Sequence, residues 1–128
     1  MVGKKGSVRR FWGGRKWGVI HHVVFFKLKP DVAPARVEQM MRQTRSQLLK
    51  INQVLCLHCG KNVDSQSDWG FFLAVEVESM DKLALYQESA TYIKFFEQII
   101  KPNTCSRQIY NFELDPAREA LPPLVSSF

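Results

Sequence analysis

The stretch Val19–Lys29, VIHHVVFFKLK, decides how this chain is read. β-branched and aromatic residues dominate it, and neither Gly nor Pro interrupts it, which is the composition of a strand. Strand geometry places Ile20, His22, Val24, Phe26 and Leu28 on one face. Val19, His21, Val23 and Phe25 take the other, until Lys27 and Lys29 bring charge. Such a strand is nearly buried on both sides. His22 then sits inside an otherwise apolar stripe, and something must satisfy its ring nitrogens. Either a hydrogen bond within the fold or a ligand can do so.

Downstream of this strand, Asp31 and the prolines of KPDVAPARVEQMMRQTRSQLLKI mark a turn and a helix start. Val37, Met40, Met41, Thr44, Leu48 and Ile51 recur at three- and four-residue spacing and form one helical face. Arg36, Gln39, Arg42, Gln43 and Gln47 take the solvent side. QVLCLHCGKNV alternates like a second strand, ending at Gly60, and Asp64–Asp68 read as a polar turn. WGFFLAVEVES is a third strand, with Glu76 and Glu78 exposing its far end. Ser79 suits an N-cap and Asp81 the first turn of a second helical region, with apolar contacts from Leu83, Leu85 and Tyr86. A break is expected near Ser89 before TYIKFFEQII resumes as helix, and Pro102 stops it. RQIYNFEL closes the set as a fourth strand.

The order β-α-β-β-α-β is the α+β, ferredoxin-like split βαβ pattern with a four-stranded antiparallel sheet. Both helical regions would lie on one face of the sheet. The other face, apolar in its first strand, is larger than monomers usually leave bare. A second copy of the chain covers it most simply, giving a homodimer whose two sheets form a dimeric α/β barrel. The termini covering that face is the alternative.

The chain has 128 residues, room for one domain. Residues 18–114 read as that domain, 1–17 as a basic flexible arm and 115–128 as a C-terminal extension. The net charge of +6 belongs to the arm, where Lys4, Lys5, Arg9, Arg10, Arg15 and Lys16 have no acid among them. A contact to nucleic acid through this arm is weighed against a plain extension, and the extension is preferred because no binding fold accompanies the charge. No apolar run approaches the roughly 20 residues a membrane span needs. The absence of a secretory h-region and the odd count of three cysteines point to a reducing, cytoplasmic setting.

IHHVVFFKLK, then CGKNV, a Tyr in the second helical region and a closing YNFEL resemble the stress-responsive dimeric α/β-barrel (Dabb) domain over Ile20–Glu113. The resemblance implies ferredoxin-like homodimers and a stress response. A few plant members are polyketide cyclases that close a linear polyketide by an aldol step. Carried over from that branch, the first-strand pocket His falls on His22 and the catalytic Tyr on Tyr86, and both are kept. The base His falls on Tyr92 and the third-strand pocket His on Phe71, so both are lost. Aldol closure needs a group that accepts a proton near neutral pH, and tyrosine, with a pKa of about 10, is a poor base. The cyclase mechanism is therefore not carried over.

The reading that results is a protein binding a small hydrophobic or aromatic metabolite in a cavity between sheet and helices. His22 and Tyr86 orient the polar end of the ligand, and Val24, Phe26, Met40, Met41, Phe71 and Tyr92 supply apolar walls. A cofactor-free enzyme of the cyclase, isomerase or monooxygenase-like type in the same cavity is the alternative, with His22 and Tyr86 as its catalytic candidates. No cofactor is implied. For His22 and the aromatic residues, a purely structural core role stands beside the ligand-binding one. Tyr86 and Tyr92 lie six apart and share a surface only if the helix breaks between them. Cys56 and Cys59 have CxxC spacing, but a strand points them to opposite faces, which argues against a metal or redox site. Arg107 either reaches the cavity and binds an anion or is a solvated end-of-strand residue.

Overall fold

The computed structural model describes residues 11–12, 15–16 and 18–115. In the basic arm, β1 (Phe11–Trp12) pairs antiparallel with β2 (Arg15–Lys16). The rest of the arm and the extension beyond Asp115 lie outside the described residues. Gly18, at φ 76°, then turns the chain into the domain with a backbone angle that favours glycine.

The domain runs β3 (Ile20–Leu28), α1 (Pro34–Leu48), β4 (Cys56–Lys61), β5 (Phe71–Val77), α2 (Met80–Glu88), α3 (Ala90–Phe95), a π-helical turn (Phe96–Ile100) and β6 (Thr104–Glu113). The four long strands form one antiparallel sheet in the order β4-β5-β3-β6. This is the ferredoxin-like arrangement, with the opening strand at the centre. Pro34 starts α1, where a missing N–H costs nothing. Ser79 caps α2, its hydroxyl accepting from the Lys82 N–H at 3.2 Å.

The alternation read in β3 decides which face carries the core. His22, Val24 and Phe26 are buried beneath the helices, while Phe25 on the other face is 37% exposed. Phe71, Leu73, Val75 and Val77 of β5 extend the same buried layer. Val37, Met40 and Leu48 of α1, Leu83 and Tyr86 of α2, and Phe95 of α3 close it from above. Leu85 does not join them. It is 47% exposed, because α2 is short and only Leu83 and Tyr86 fall on its sheet-facing stripe. Thr44 sits in the apolar face of α1 with its hydroxyl donating to the Met40 carbonyl at 2.7 Å. That hydrogen bond makes its burial tolerable.

Among the described residues, no helix covers the far face of the sheet. There Phe25 approaches Phe72 and Tyr110 at ring-centroid distances of 6.5 and 6.2 Å, and Tyr110 stacks on Phe112 at 6.3 Å. Tyr110 and Phe112 are about half exposed. Among the described residues, no helix is long and apolar enough to cross a membrane.

Adjacent residues at the end of α1 give a direct check on this layering. Leu48 is fully buried and Leu49 is 60% exposed. Leu48→Ala is expected to cost about 3 kcal/mol of unfolding free energy. Leu49→Ala is expected to stay within about 0.5 kcal/mol. Urea denaturation of the two variants measures the difference.

Candidate functional site

A groove of about 270 Å³ opens between the outer half of the sheet and the broken second helix. β3 contributes His22 and Val24, and the edge strand β6 contributes Arg107 and Ile109. Register explains why these four meet. Arg107 lies opposite Phe26, Ile109 opposite Val24, and Asn111 opposite His22, so all three β6 residues point to the helix side. Gln87 from the end of α2, Tyr92 and Ile93 from α3, and Phe96 and Glu97 from the π-helical turn complete the lining.

The break at Ser89 builds the helical wall. Its backbone is extended (ψ 145°), which ends α2 and starts α3. The Ser89 hydroxyl donates to the Tyr86 carbonyl at 2.9 Å and accepts from the Tyr92 N–H at 3.1 Å. One side chain thus fixes both helix ends. It brings Tyr86 and Tyr92 together with ring centroids 4.8 Å apart, which a continuous helix could not do at a spacing of six. The π-helical turn follows. The Lys101 N–H reaches back five residues to the Phe96 carbonyl at 2.8 Å, and Phe96 and Glu97 face the groove. Such turns recur at functional sites.

His22 is 2% exposed, and its Nδ1 lies 2.6 Å from Asn111 Oδ1. With the amide oxygen accepting, Nδ1 carries the proton and Nε2 is left as an acceptor. Burial lowers the His22 pKa below 6.5. The Asn111 hydrogen bond opposes this, while the nearby Arg107 guanidinium and the neighbouring His21 add to it. The ring is therefore neutral near neutral pH. Tyr86 stands edge-on to it, with centroids 6.3 Å apart. Its hydroxyl is fully buried and has no hydrogen-bond partner among the described residues. Desolvation drives the Tyr86 pKa far above the ordinary phenol range, with the neighbouring Tyr92 adding to it. Tyr92 is raised as well by burial, against the pull of Arg107. Neither tyrosine can act as a base near neutrality.

His22, Val24 and Tyr92 thus line the groove, and Tyr86 lies directly behind Tyr92. Phe26 and Phe71 pack on each other at 5.9 Å within the core, and Met40 is buried there too. Met41 is half-buried against that core, its carbonyl 3.7 Å from Cys59 Sγ. Those four residues do not line the groove. Cys56 lies on the far face beside His58, with Sγ to Nε2 at 3.5 Å, whereas Cys59 lies on the helix side. Sequence reasoning did not find Gln87, Ile93, Phe96, Glu97, Ile109 or Asn111. Asn111 has a signal in principle, since it falls opposite His22, but only once the β3–β6 register is known.

Fold and groove together define a ferredoxin-like α+β domain with a small cavity on its helical side. The chain belongs to the stress responsive A/B barrel domain family (Dabb), whose model matches residues 20–114. Among solved structures it is similar to a dimeric ferredoxin-like protein of unknown function from Thermobifida fusca. That pair is 20% identical, with a TM-score of 0.68, and covers 81% of this chain and 95% of that one. A Dabb family protein from Mesorhizobium loti is 17% identical at a TM-score of 0.65, covering 74% of this chain and 95% of that chain. The hydroxynitrile lyase of Passiflora edulis is 13% identical at a TM-score of 0.65, covering 81% of this chain and 97% of its own. At these identities the likeness concerns the fold. No curated protein matches the chain.

The depressed His22 pKa has a measurable consequence. The unfolded chain takes up a proton on this residue near pH 6.5, before the folded chain does. Stability contributed by neutral His22 is therefore complete above pH 6.5 and is lost as pH falls from there toward the folded-state pKa. Urea unfolding at stepped pH is expected to show His22→Gln with a shallower decline than wild type across that window.

Proposed function

We propose that this Dabb protein works as a homodimer that holds a small apolar compound, about one ring in size, in the groove beside His22. The supporting observation is a buried histidine lining a cleft whose walls are mostly apolar. His22 lines the groove with its Nδ1 held by Asn111, which leaves Nε2 as the acceptor, and the Tyr86 hydroxyl behind Tyr92 has no partner among the described residues. A mostly apolar cleft with a few convergent polar side chains is the usual form of a small-molecule site, and His22 offers a ligand one such group. Val24, Tyr92, Ile93, Phe96 and Ile109 supply the apolar walls. An engineered apolar cavity of about 150 Å³ holds a benzene molecule, so 270 Å³ accommodates a substituted ring. Drug-sized ligands occupy more space than this.

Pairing follows from the uncovered sheet face. Phe25, Tyr110 and Phe112 form an exposed aromatic surface there, and the Thermobifida fusca neighbour is described as dimeric. A second copy meeting that face closes the barrel. The three unpaired thiols fit a reducing cytoplasm. The stress-response role comes with the family description.

An enzyme in the same groove is the second reading, favoured by the dry, protonated Tyr86 phenol next to a neutral histidine. That pair offers a proton donor and an acceptor. Tyr92 and Phe71 offer no base, so chemistry here would rest on His22.

Two experiments test the proposal. Phe25→Asp puts an unpaired charge in the pairing face. In analytical ultracentrifugation it should give monomer or insoluble chain, and an unchanged dimer would place the interface elsewhere. Ile109→Trp fills the groove from its exposed edge. Saturation-transfer NMR with single-ring aromatic compounds should show binding to wild type and its loss in the variant; binding that persists would put the site outside the groove.

A further inference from the structure

We propose that the groove selects a carboxylate carried on an apolar body, with Arg107 as the group that holds the acid. This deepens the ligand-binding reading and rests on it. Arg107 lines the groove and also a neighbouring depression of about 250 Å³ formed with Phe96, Lys101, Thr104, Cys105 and Ser106. It stands at the junction of the two. Its guanidinium carbon lies 5.0 Å from the centroid of the Phe96 ring. Stacking of this kind orients the guanidinium and leaves its edge donors free for a bidentate acceptor.

No acidic side chain pairs with Arg107 among the described residues. The ion pairs seen among them include His21–Glu76, Lys61–Glu38 and Lys101–Glu97. Glu97, the one acid in the groove lining, is occupied by Lys101 at 3.5 Å. Among the described residues, the rim therefore keeps the Arg107 charge without an acidic partner, beside an apolar wall. Arg107 takes the helix-side face from its register opposite Phe26, and a bulge brings Thr104 onto the same face. Leu28 lies opposite Thr104 and Lys27 opposite Ser106, so Cys105 is the additional residue. Thr104 and Arg107, three apart, consequently share the helix-side face. The neutral His22 sits deeper in the groove than the rim and adds no charge. A carboxylate at Arg107 and an uncharged donor at His22 would thus be read at separate points of one ligand.

Matched acids and amides separate charge recognition from apolar fit. Isothermal titration at neutral pH would compare trans-cinnamate with trans-cinnamamide, and octanoate with octanamide, on the full chain. The acid of at least one pair is expected to bind five- to tenfold more tightly than its amide. Preference confined to the cinnamate pair assigns an aromatic acid, and preference confined to the octanoate pair an aliphatic one. Arg107→Gln should bring the acid to the affinity of the amide and leave the amide within twofold. Arg107→Lys should retain part of the preference. Equal binding of acid and amide by wild type, or a preference that survives Arg107→Gln, overturns the carboxylate assignment while leaving the groove a ligand site. Failure of all four compounds to bind removes the ligand-binding reading, and this one with it.

Discussion

Everything in this domain hangs on the pairing of β3 with a neighbour on each side. β5 fixes one edge and β6 the other, and both ladders run through the same residues, His21 to Phe26. The two-residue side-chain period then separates two surfaces that serve different ends. His22, Val24 and Phe26 go under the helices, and Val23 and Phe25 go to the bare face. A slip of one residue would exchange them, placing His21 in the core and Phe26 outside. Double pairing is what makes such a slip costly, because both ladders would have to move.

The groove arises where the helical layer fails to cover the sheet completely. α1 and α2 cap β4, β5 and β3, but β6 lies at the edge with little above it. The break at Ser89 and the π-helical turn redirect the chain there. They leave Tyr92 and Ile93 facing Ile109 across a gap, with Arg107 stacked on Phe96 at its edge. The cavity is thus a product of interrupted helix geometry as much as of residue choice. Those interruptions also bury the Tyr86 hydroxyl without a partner among the described residues, and a buried hydroxyl left so costs about 1–3 kcal/mol.

The electrostatic character of the site follows from the same placement. Burial keeps His22 neutral and both tyrosines protonated. Arg107 adds a fixed positive charge at the exposed edge. A graded cleft results, uncharged at His22 and cationic at its Arg107 lip.

Elements were legible in the sequence wherever a local rule applies. The β3 composition, the Val37–Leu48 stripe, the Ser79 cap and the Ser89 break each depend on residues within a turn or two of one another. So does the opposition of Cys56 and Cys59. Residues distant in the chain were not legible in that way. Phe26, Phe71, Met40 and Met41 were expected around a cavity because they are apolar and lie on the right faces. An apolar residue above the sheet centre and one above its edge look alike in sequence, yet only the second borders a groove. Asn111 and Ile109 could not be assigned without the β3–β6 register, and Gln87 and Glu97 not without the helix break. The amino-acid sequence alone determined the strand and helix faces, because periodicity is a local property of the backbone. Tertiary structure decided which apolar residues pack and which line a void, because a void exists only between elements that the chain brings together from afar.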